Sequence, residues 1–349
     1  MKQKLLSFLF VLIGLLGNRA SVLAQDDSFF EIATAEDLVA FSEYVNAGNY
    51  GANAVLTADI DMSSVENFTG IGVARDALYS GTFDGQGHKI SGMTISYPEK
   101  EDVGFFHIAK ATLKNFWLDE TCLIEGDKGV ALVGWCNGDS PVLEGIGVAA
   151  KIKGSENTSS FIGRAWKNPQ FKNCWSIGEI DNSVGSGNKT NTGVFMGWCN
   201  TWGGSFTNCW TTATFAIAPA DANYLTRKGD NVIFNNCYSL YGSQATRMTE
   251  DDVISGALCY ALNGDQSEIT WYQTLGVDPY PVLDSSHRIV TKNDDGTYRN
   301  DDGTGIVAVD DRRKMTDIYD LSGRRIGTVA NTTLKKGIYI VNGRKVMIK

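Results

Sequence analysis

The phrase FKNCWS at residues 171–176 returns as FTNCWT at 206–211 and as FNNCYS at 234–239. Looser copies, LKNFWL and LEGIGV, begin at Leu113 and Leu143. From Leu113 onward the copies start 30, 28, 35 and 28 residues apart, and the long step contains a polar stretch at 182–191. A second phrase keeps pace: VALVGWCNG at 130–138, SSFIGRAWKN at 159–168 and GVFMGWCNT at 193–201, after a weaker VGFFHIAK at 103–110. A fixed period of this length marks one structural unit repeated, and each unit is too short to bury its own apolar face. Stacking the units supplies the core. No helical period lies between the strands, which excludes βαβ units. The expected fold is all-β: a right-handed parallel β-helix or β-solenoid, one coil per unit, with short helical caps.

Strand alternation then assigns directions. Phe171, Phe206 and Phe234 point inward, and Lys172, Thr207 and Asn235 point out. Asn173, Asn208 and Asn236 sit at a bend, because Asn tolerates the left-handed backbone and its amide can bond to the Asn one coil away. Cys174, Cys209 and Cys237 turn back inward as small hydrophobes. Gly134, Gly163 and Gly197 end the short apolar strand of the second phrase. Parallel neighbours keep Cβ atoms about 4.8 Å apart, wider than the roughly 3.5–4.5 Å of a disulfide. Cys136 and Cys199 have Ala165 between them on the intervening coil. Most of the seven cysteines are therefore expected free and buried, although seven in an exported chain would ordinarily suggest disulfides.

Trp117, Trp175, Trp210 and Tyr238 follow the inward position by one and are expected to face out as a partly exposed ladder. Flat aromatic faces suit sugar rings, so these four are the candidate ligand-binding residues. The alternative is that they pack on each other or under a loop such as 182–191.

The ends read differently. Lys2 and Lys4, an apolar run at 5–16 too short to span a bilayer, and Val22-Leu23-Ala24 suggest a signal peptide at 1–24 and hence export. Residues 25–58 form an N-terminal cap, with a helix from Ala35 to Asn46, Thr34 as N-cap and Asp37 three residues on. The β-helix occupies 59–245. Residues 246–290 form a C-terminal cap that closes the far end, with a helix from Thr249 to Asn263-Gly264 presenting Val253, Ala257, Leu258, Ala261 and Leu262 on one face. Residues 291–305 repeat Asn-Asp-Asp-Gly-Thr and read as a linker, without the ligand spacing of a calcium loop. Residues 306–349 read as short strands, with Asn342-Gly343 as a hairpin turn.

These strings carry two resemblances. GVALVG, SSFIG and GVFMG, with the upstream ATAEDLVAFSEYVNAG and YSGTFDGQGHKISGMTI and the downstream GALCYALNG, resemble the GLUG motif of bacterial surface proteins, over roughly residues 31–283. That resemblance implies a secreted or adhesin-like β-solenoid with no assigned activity. IYDLSGRRI at 318–326 and KKGIYIVNGRKVMIK at 335–349 are similar to the C-terminal sorting domain of type IX secretion, which implies that machinery as a partner of residues 306–349 and a Gram-negative cell surface or medium as the destination.

Chemistry finds less support. A net charge of −9 argues against nucleic acid or an anionic membrane. Polysaccharide lyases and hydrolases on β-helices need outward carboxylates clustered on neighbouring coils. Glu179 and Asp181 have Thr214 and Ala216 one coil on, and Glu125 and Asp127 are similarly isolated. His88, His107 and His287 are not at metal spacing, and His88 in FDGQGH fits a tight corner. No cofactor or metal is expected. The reading is a surface or extracellular binder of glycan or protein, with a carbohydrate-active enzyme and a structural spacer as alternatives.

Overall fold

The computed structural model describes residues 29–301, except 77, 139–140, 200–202, 228–230 and 265, together with 318–320, 325–327, 336–341 and 344–348. The expected signal peptide lies outside the described residues.

The chain winds into a parallel β-solenoid of about six coils. Leu113, Leu143, Phe171, Phe206 and Phe234 pair in register from coil to coil, so the sequence repeat is the structural repeat. The three phenylalanine rings stack inside with centroids 4.4 and 4.7 Å apart. Asn115, Asn173, Asn208 and Asn236 have φ of 57°, 52°, 54° and 50°, and Gly145 takes the same corner at 64°. This left-handed residue bends each long strand, so Phe171, two residues before the corner, and Cys174, one residue after it, both point inward. Asn236 Nδ2 donates to Asn208 Oδ1 at 2.8 Å, the coil-to-coil amide bond expected at the bend. Cys174, Cys209 and Cys237 lie in the core, and all seven cysteines are free and buried. Ala165 pairs with Cys136 on one side and Cys199 on the other.

Each coil has three strands, one more than the two repeated phrases account for. The long sheet carries the Asn corner, as in Thr112–Leu118 and Val142–Val148. Next comes an isoleucine sheet: Thr94–Ser96, Leu123–Glu125, Lys151–Lys153, Glu179–Asp181 and Thr214–Phe215. Ile95, Ile124, Ile152 and Ile180 point inward from it and are fully buried. The glycine sheet completes the coil: Phe106–Ala109, Val133–Cys136, Ile162–Ala165 and Met196–Cys199. Gly134, Gly163 and Gly197 are the second residues of their strands, not the ends. A Cβ at Gly134 would stand 2.2 Å from the Asp102 carbonyl oxygen, and one at Gly197 would stand 2.3 Å from that of Asn157. The preceding turn crosses too closely for any side chain.

Helix α1, Ala35–Asn46, is the expected N-terminal helix with a Thr34–Asp37 capping box. Leu38, Phe41 and Val45 enter the main core. At the other end the expected single helix is two: α2, Glu250–Ile254, and α3, Ala257–Asn263, broken at Gly256 with φ of 92°. These helices do not simply plug the end. With residues up to 301 they return along the outer flank of the long sheet and form a second apolar cluster with Trp175 and Trp210. The returning segment meets the Asn corner coil after coil. Asn236 Nδ2 donates to the Ala261 and Leu262 carbonyls, and Trp271 Nε1 donates to Asn173 Oδ1 at 3.3 Å. Leu283 packs beside Gly145. The expected linker is also corrected. Ile289–Lys292 and Tyr298–Asp301 pair as an antiparallel hairpin whose turn holds the first Asn-Asp-Asp-Gly-Thr. Val290 is buried and Asn300 bonds the Gln273 carbonyl and Leu275 N–H, so this hairpin belongs to the returning segment. Residues 302–305 lie outside the described residues.

The C-terminal strands Ile318–Tyr319, Arg325–Gly327, Gly337–Val341 and Arg344–Ile348 form an antiparallel sheet. Val341 pairs with Arg344, which leaves two residues between the strands where Asn342-Gly343 was expected to turn; those two are not described.

Candidate functional site

The outward column beside the Asn corners runs Lys89, Trp117, Gly147, Trp175, Trp210 and Tyr238, one residue per coil. The rung at Gly147 has no side chain. Trp175 leans across it, so a Cβ on Gly147 would lie 2.3 Å from the indole ring. Its ring centroid comes within 5.8 Å of Trp117, with Gly147 on the coil between. Trp210 stacks on the other side of Trp175 at 5.8 Å and an interplanar angle of 9°.

The expectation of an exposed ladder holds for only part of this column. The returning segment covers the rest. Trp210 is 0% exposed, held between Trp175, Tyr280 and Trp271. Tyr238 is half-buried in the same cluster, and its hydroxyl donates to Asn236 Oδ1 at 2.7 Å. Trp210 reaches no surface that a ligand could enter, and Tyr238 does not line the groove. The cover is residues 248–290, not the 182–191 loop. Trp117, by contrast, with the small part of Trp175 that stays open, lines a groove of about 840 Å³ between the solenoid flank and the irregular stretch 280–287. That volume is within the range of small-molecule and oligomer sites.

One wall of the groove is solenoid. Asp84 gathers Gln86 N–H, Gln86 Nε2 and Asn115 Nδ2, each at 3.1 Å, and Lys114 Nζ at 3.0 Å. Burial raises the Asp84 carboxyl, but these donors outweigh it and hold it below the ordinary range. This fixes the FDGQGH turn, where Gln86 has φ of 53° and the strand register shifts between Asp84 and His88. The corner reading of that string is correct, yet the turn also sets His88 into the groove, with Nδ1 3.0 Å from Asp59 Oδ1. The same Asp59 oxygen accepts the Lys89 N–H.

The other wall is the returning segment. Tyr280 packs tilted against Trp175, ring centroids 5.4 Å apart. Burial, then the Glu120 and Asp278 carboxylates, raise its hydroxyl above the usual range, which keeps it a proton donor. His287 Nδ1 lies 2.7 Å from Asp278 Oδ2, and its Nε2 lies 3.8 Å from Asp284. The Ser286 backbone N–H holds the Asp284 carboxyl low. The groove thus presents the half-buried Trp117 and Tyr280, the edge of the 5%-exposed Trp175, and two imidazole–carboxylate pairs. Sequence reasoning missed Asp59, His88, Tyr280 and His287, because the two walls are about 200 residues apart in the chain. The one local signal for Tyr280 is its place between Pro279 and Pro281.

The carboxylates weighed for catalysis are ion-paired between coils: Glu125 lies 3.6 Å from Lys153, and Glu179 lies 3.3 Å from Lys151. Among the described residues no group of three or more His, Cys, Asp or Glu side chains is placed to hold a metal ion, and no helix is long and apolar enough to cross a membrane.

No protein-family model matches the sequence, and no curated protein does. Among solved structures the chain is similar to one described as "a putative immunoglobulin A1 protease from Bacteroides ovatus". The TM-score is 0.52 at 15% identity, over 74% of this chain and 93% of that one. At that identity the likeness shows a shared β-solenoid fold.

Proposed function

We propose that this chain is an exported, adhesin-like protein that binds glycan in the groove between the solenoid flank and the returning segment. The observation that carries the reading is the convergence of Trp117, Trp175 and Tyr280 on one groove whose rim holds His88, Asn115 and Asp284. Flat apolar faces bounded by hydrogen-bonding groups match the two faces and hydroxyl edge of a pyranose. Calorimetric titration of glycan-array hits into the chain tests it. Trp117→Ala is expected to weaken binding at least about tenfold, as loss of an aromatic anchor does, with little change in melting temperature. Undiminished binding by that variant removes the groove from the reading.

The signal-peptide pattern at 1–24 and the type IX resemblance of 306–349 support delivery to the cell surface or medium. Fractionation of a chain ended after Asp301 tests the address: it is expected to stay periplasmic, and export equal to the full chain's overturns that part.

A second reading is hydrolysis in the same groove. Its support is the His287–Asp278 pair, a general-base arrangement, and the protease named for the structural neighbour. Incubation with immunoglobulin A1 and with bound glycans, using His287→Ala as control, separates it: cleavage lost in that variant favours the enzyme.

A further inference from the structure

The glycine sheet carries its own outward column. Ile108, Trp135, Arg164 and Trp198 pair coil to coil. Trp135 and Trp198 are half-buried two coils apart, and Trp166 beside them is 43% exposed, its ring 6.4 Å from that of Trp198. Arg75 lies 4.6 Å over the Trp135 ring with most of its side chain open to solvent, while Arg164 sits on the coil between the two tryptophans. This face is the outer side of a different sheet from the one the groove lies on.

At the start of the column is a polar hollow of about 330 Å³, lined by Arg75, Glu101, Asp102 and His107. His107 is 6% exposed and the ring contacts the Thr69 backbone, yet its Nε2 has no hydrogen-bond partner. A buried polar atom left so is costly unless something supplies a bond. Burial, then the Lys100 charge, lowers the imidazole to about 4, so at neutral pH it is uncharged. Arg164 holds Glu101 at 2.9 Å and Asp102 at 3.1 Å, and Lys128 lies 3.6 Å from Glu101 and 4.0 Å from Asp127. Arg75, Lys100, Lys128 and Arg164 thus stand against Glu101, Asp102 and Asp127.

We propose that this face is a second saccharide site, selective for carboxylate-bearing sugars. Trp135, Trp198 and Trp166 offer apolar faces over two coil steps, about 10 Å at the usual strand spacing, which suits an extended oligosaccharide rather than a single ring. Arg75 Nη2 lies 3.8 Å from Asp102 Oδ2, and with 68% of the side chain exposed its planar guanidinium keeps further N–H donors above Trp135 for a carboxylate of the ligand. A partner protein would need a larger continuous apolar area than half-buried, arginine-interleaved rings provide.

The test uses the chain carrying residues 25–349 and calorimetric titration with three probes: tetragalacturonate, sialyllactose and cellotetraose. Binding of either acidic probe, weakened at least about tenfold by Trp166→Ala and by Arg75→Ala, is expected; the two acidic probes distinguish a uronate from a sialate. Affinity should fall as salt is raised. Trp117→Ala should leave it unchanged, which keeps this result separate from the groove. Trp166 and Arg75 are exposed, so these variants keep the core, and a matching melting temperature verifies it. Equal affinity for cellotetraose, no binding of either acidic probe, or insensitivity to both variants overturns the proposal. So does a dimer of the wild type that Trp166→Ala dissociates, because a second copy would then be what covers the face.

Discussion

The long sheet and the glycine sheet both display tryptophan on the outside of the same coils, with opposite results. On the long sheet Trp175 and Trp210 are 5% and 0% exposed; on the glycine sheet Trp166 is 43% exposed and Trp135 and Trp198 are half-buried. The difference is not in the coils. Residues 248–301 return over one face and not the other. A strand period tells which way a side chain leaves its own coil. Whether a distant segment then lies over it is a separate matter, decided by the chain beyond the last coil.

Removing the cover should break the contrast most strongly. A chain ended after Met248 uncovers Trp175 and Trp210 and loses the α2, α3 and Trp271 contacts. At about 1.5–3 kcal/mol per large apolar side chain left in water, several such losses consume much of a typical domain's stability. That chain is expected to aggregate or bind hydrophobic dye, whereas one ended after Asp301 melts like the full protein. A stable, dye-silent product ending at Met248 would show that the cover is incidental.

Single substitutions sharpen the same contrast. Trp210→Ala should cost about 3–5 kcal/mol in denaturant unfolding, as buried aromatic truncations do. Trp166→Ala should change stability by no more than about 0.5 kcal/mol. Similar losses at the two sites would mean that the faces do not differ as described.

Acid should find the open face first. His107 is near 4 in the folded chain against 6.5 when unfolded. Above pH 6.5 neither state binds the proton and the group contributes nothing. Between 6.5 and 4 the unfolded chain takes it up and the folded chain does not, so stability falls as pH falls, by about 3 kcal/mol at the lower limit. Unfolding free energies measured across that window should be flatter for His107→Gln; an unchanged slope assigns the acid sensitivity elsewhere. The smallest change is at the missing rung. Gly147→Ala puts a methyl where the Trp175 ring lies and should cost about 1–3 kcal/mol while narrowing the groove, measured as weaker glycan binding. Unaltered binding would separate the groove from the ladder.

Much of the solenoid is legible in the sequence alone. The phenylalanine, asparagine and cysteine positions all stand where alternation and the left-handed corner put them. The α1 helix is legible from its capping box and its periodic Leu38, Phe41 and Val45. The isoleucine sheet is not, although Ile95, Ile124, Ile152 and Ile180 recur at 28–29 residues, because one apolar residue between polar neighbours gives almost no periodic signal. The hairpin at 289–301 reads as linker because its turn residues are those of a flexible chain; its fixed place comes from Val290, buried in the cap, and Asn300, which bonds to partners there. The groove is half legible. Trp117 and Trp175 follow from the repeat, but Tyr280 and His287 arrive from a segment with no repeat to place it. The outward column on the glycine sheet lies within GWCNG, GRAWKN and GWCNT, where the glycines give the stronger signal because they alone recur in every copy.

The ties at Asn236, Asn173 and Gly145 have a thermodynamic consequence. In an untied coil array each unit is coupled to its two neighbours alone, and such arrays fray from their ends one unit at a time. The segment carrying Ala261, Trp271 and Leu283 bonds or packs on the same corner of three coils, and the Asn208 coil separates that of Asn236 from that of Asn173. Releasing the last coil therefore also strips contacts from coils further in. Hydrogen exchange along this solenoid should accordingly fall into one slow block from residue 112 to 248, rather than a gradient declining toward the terminal coil.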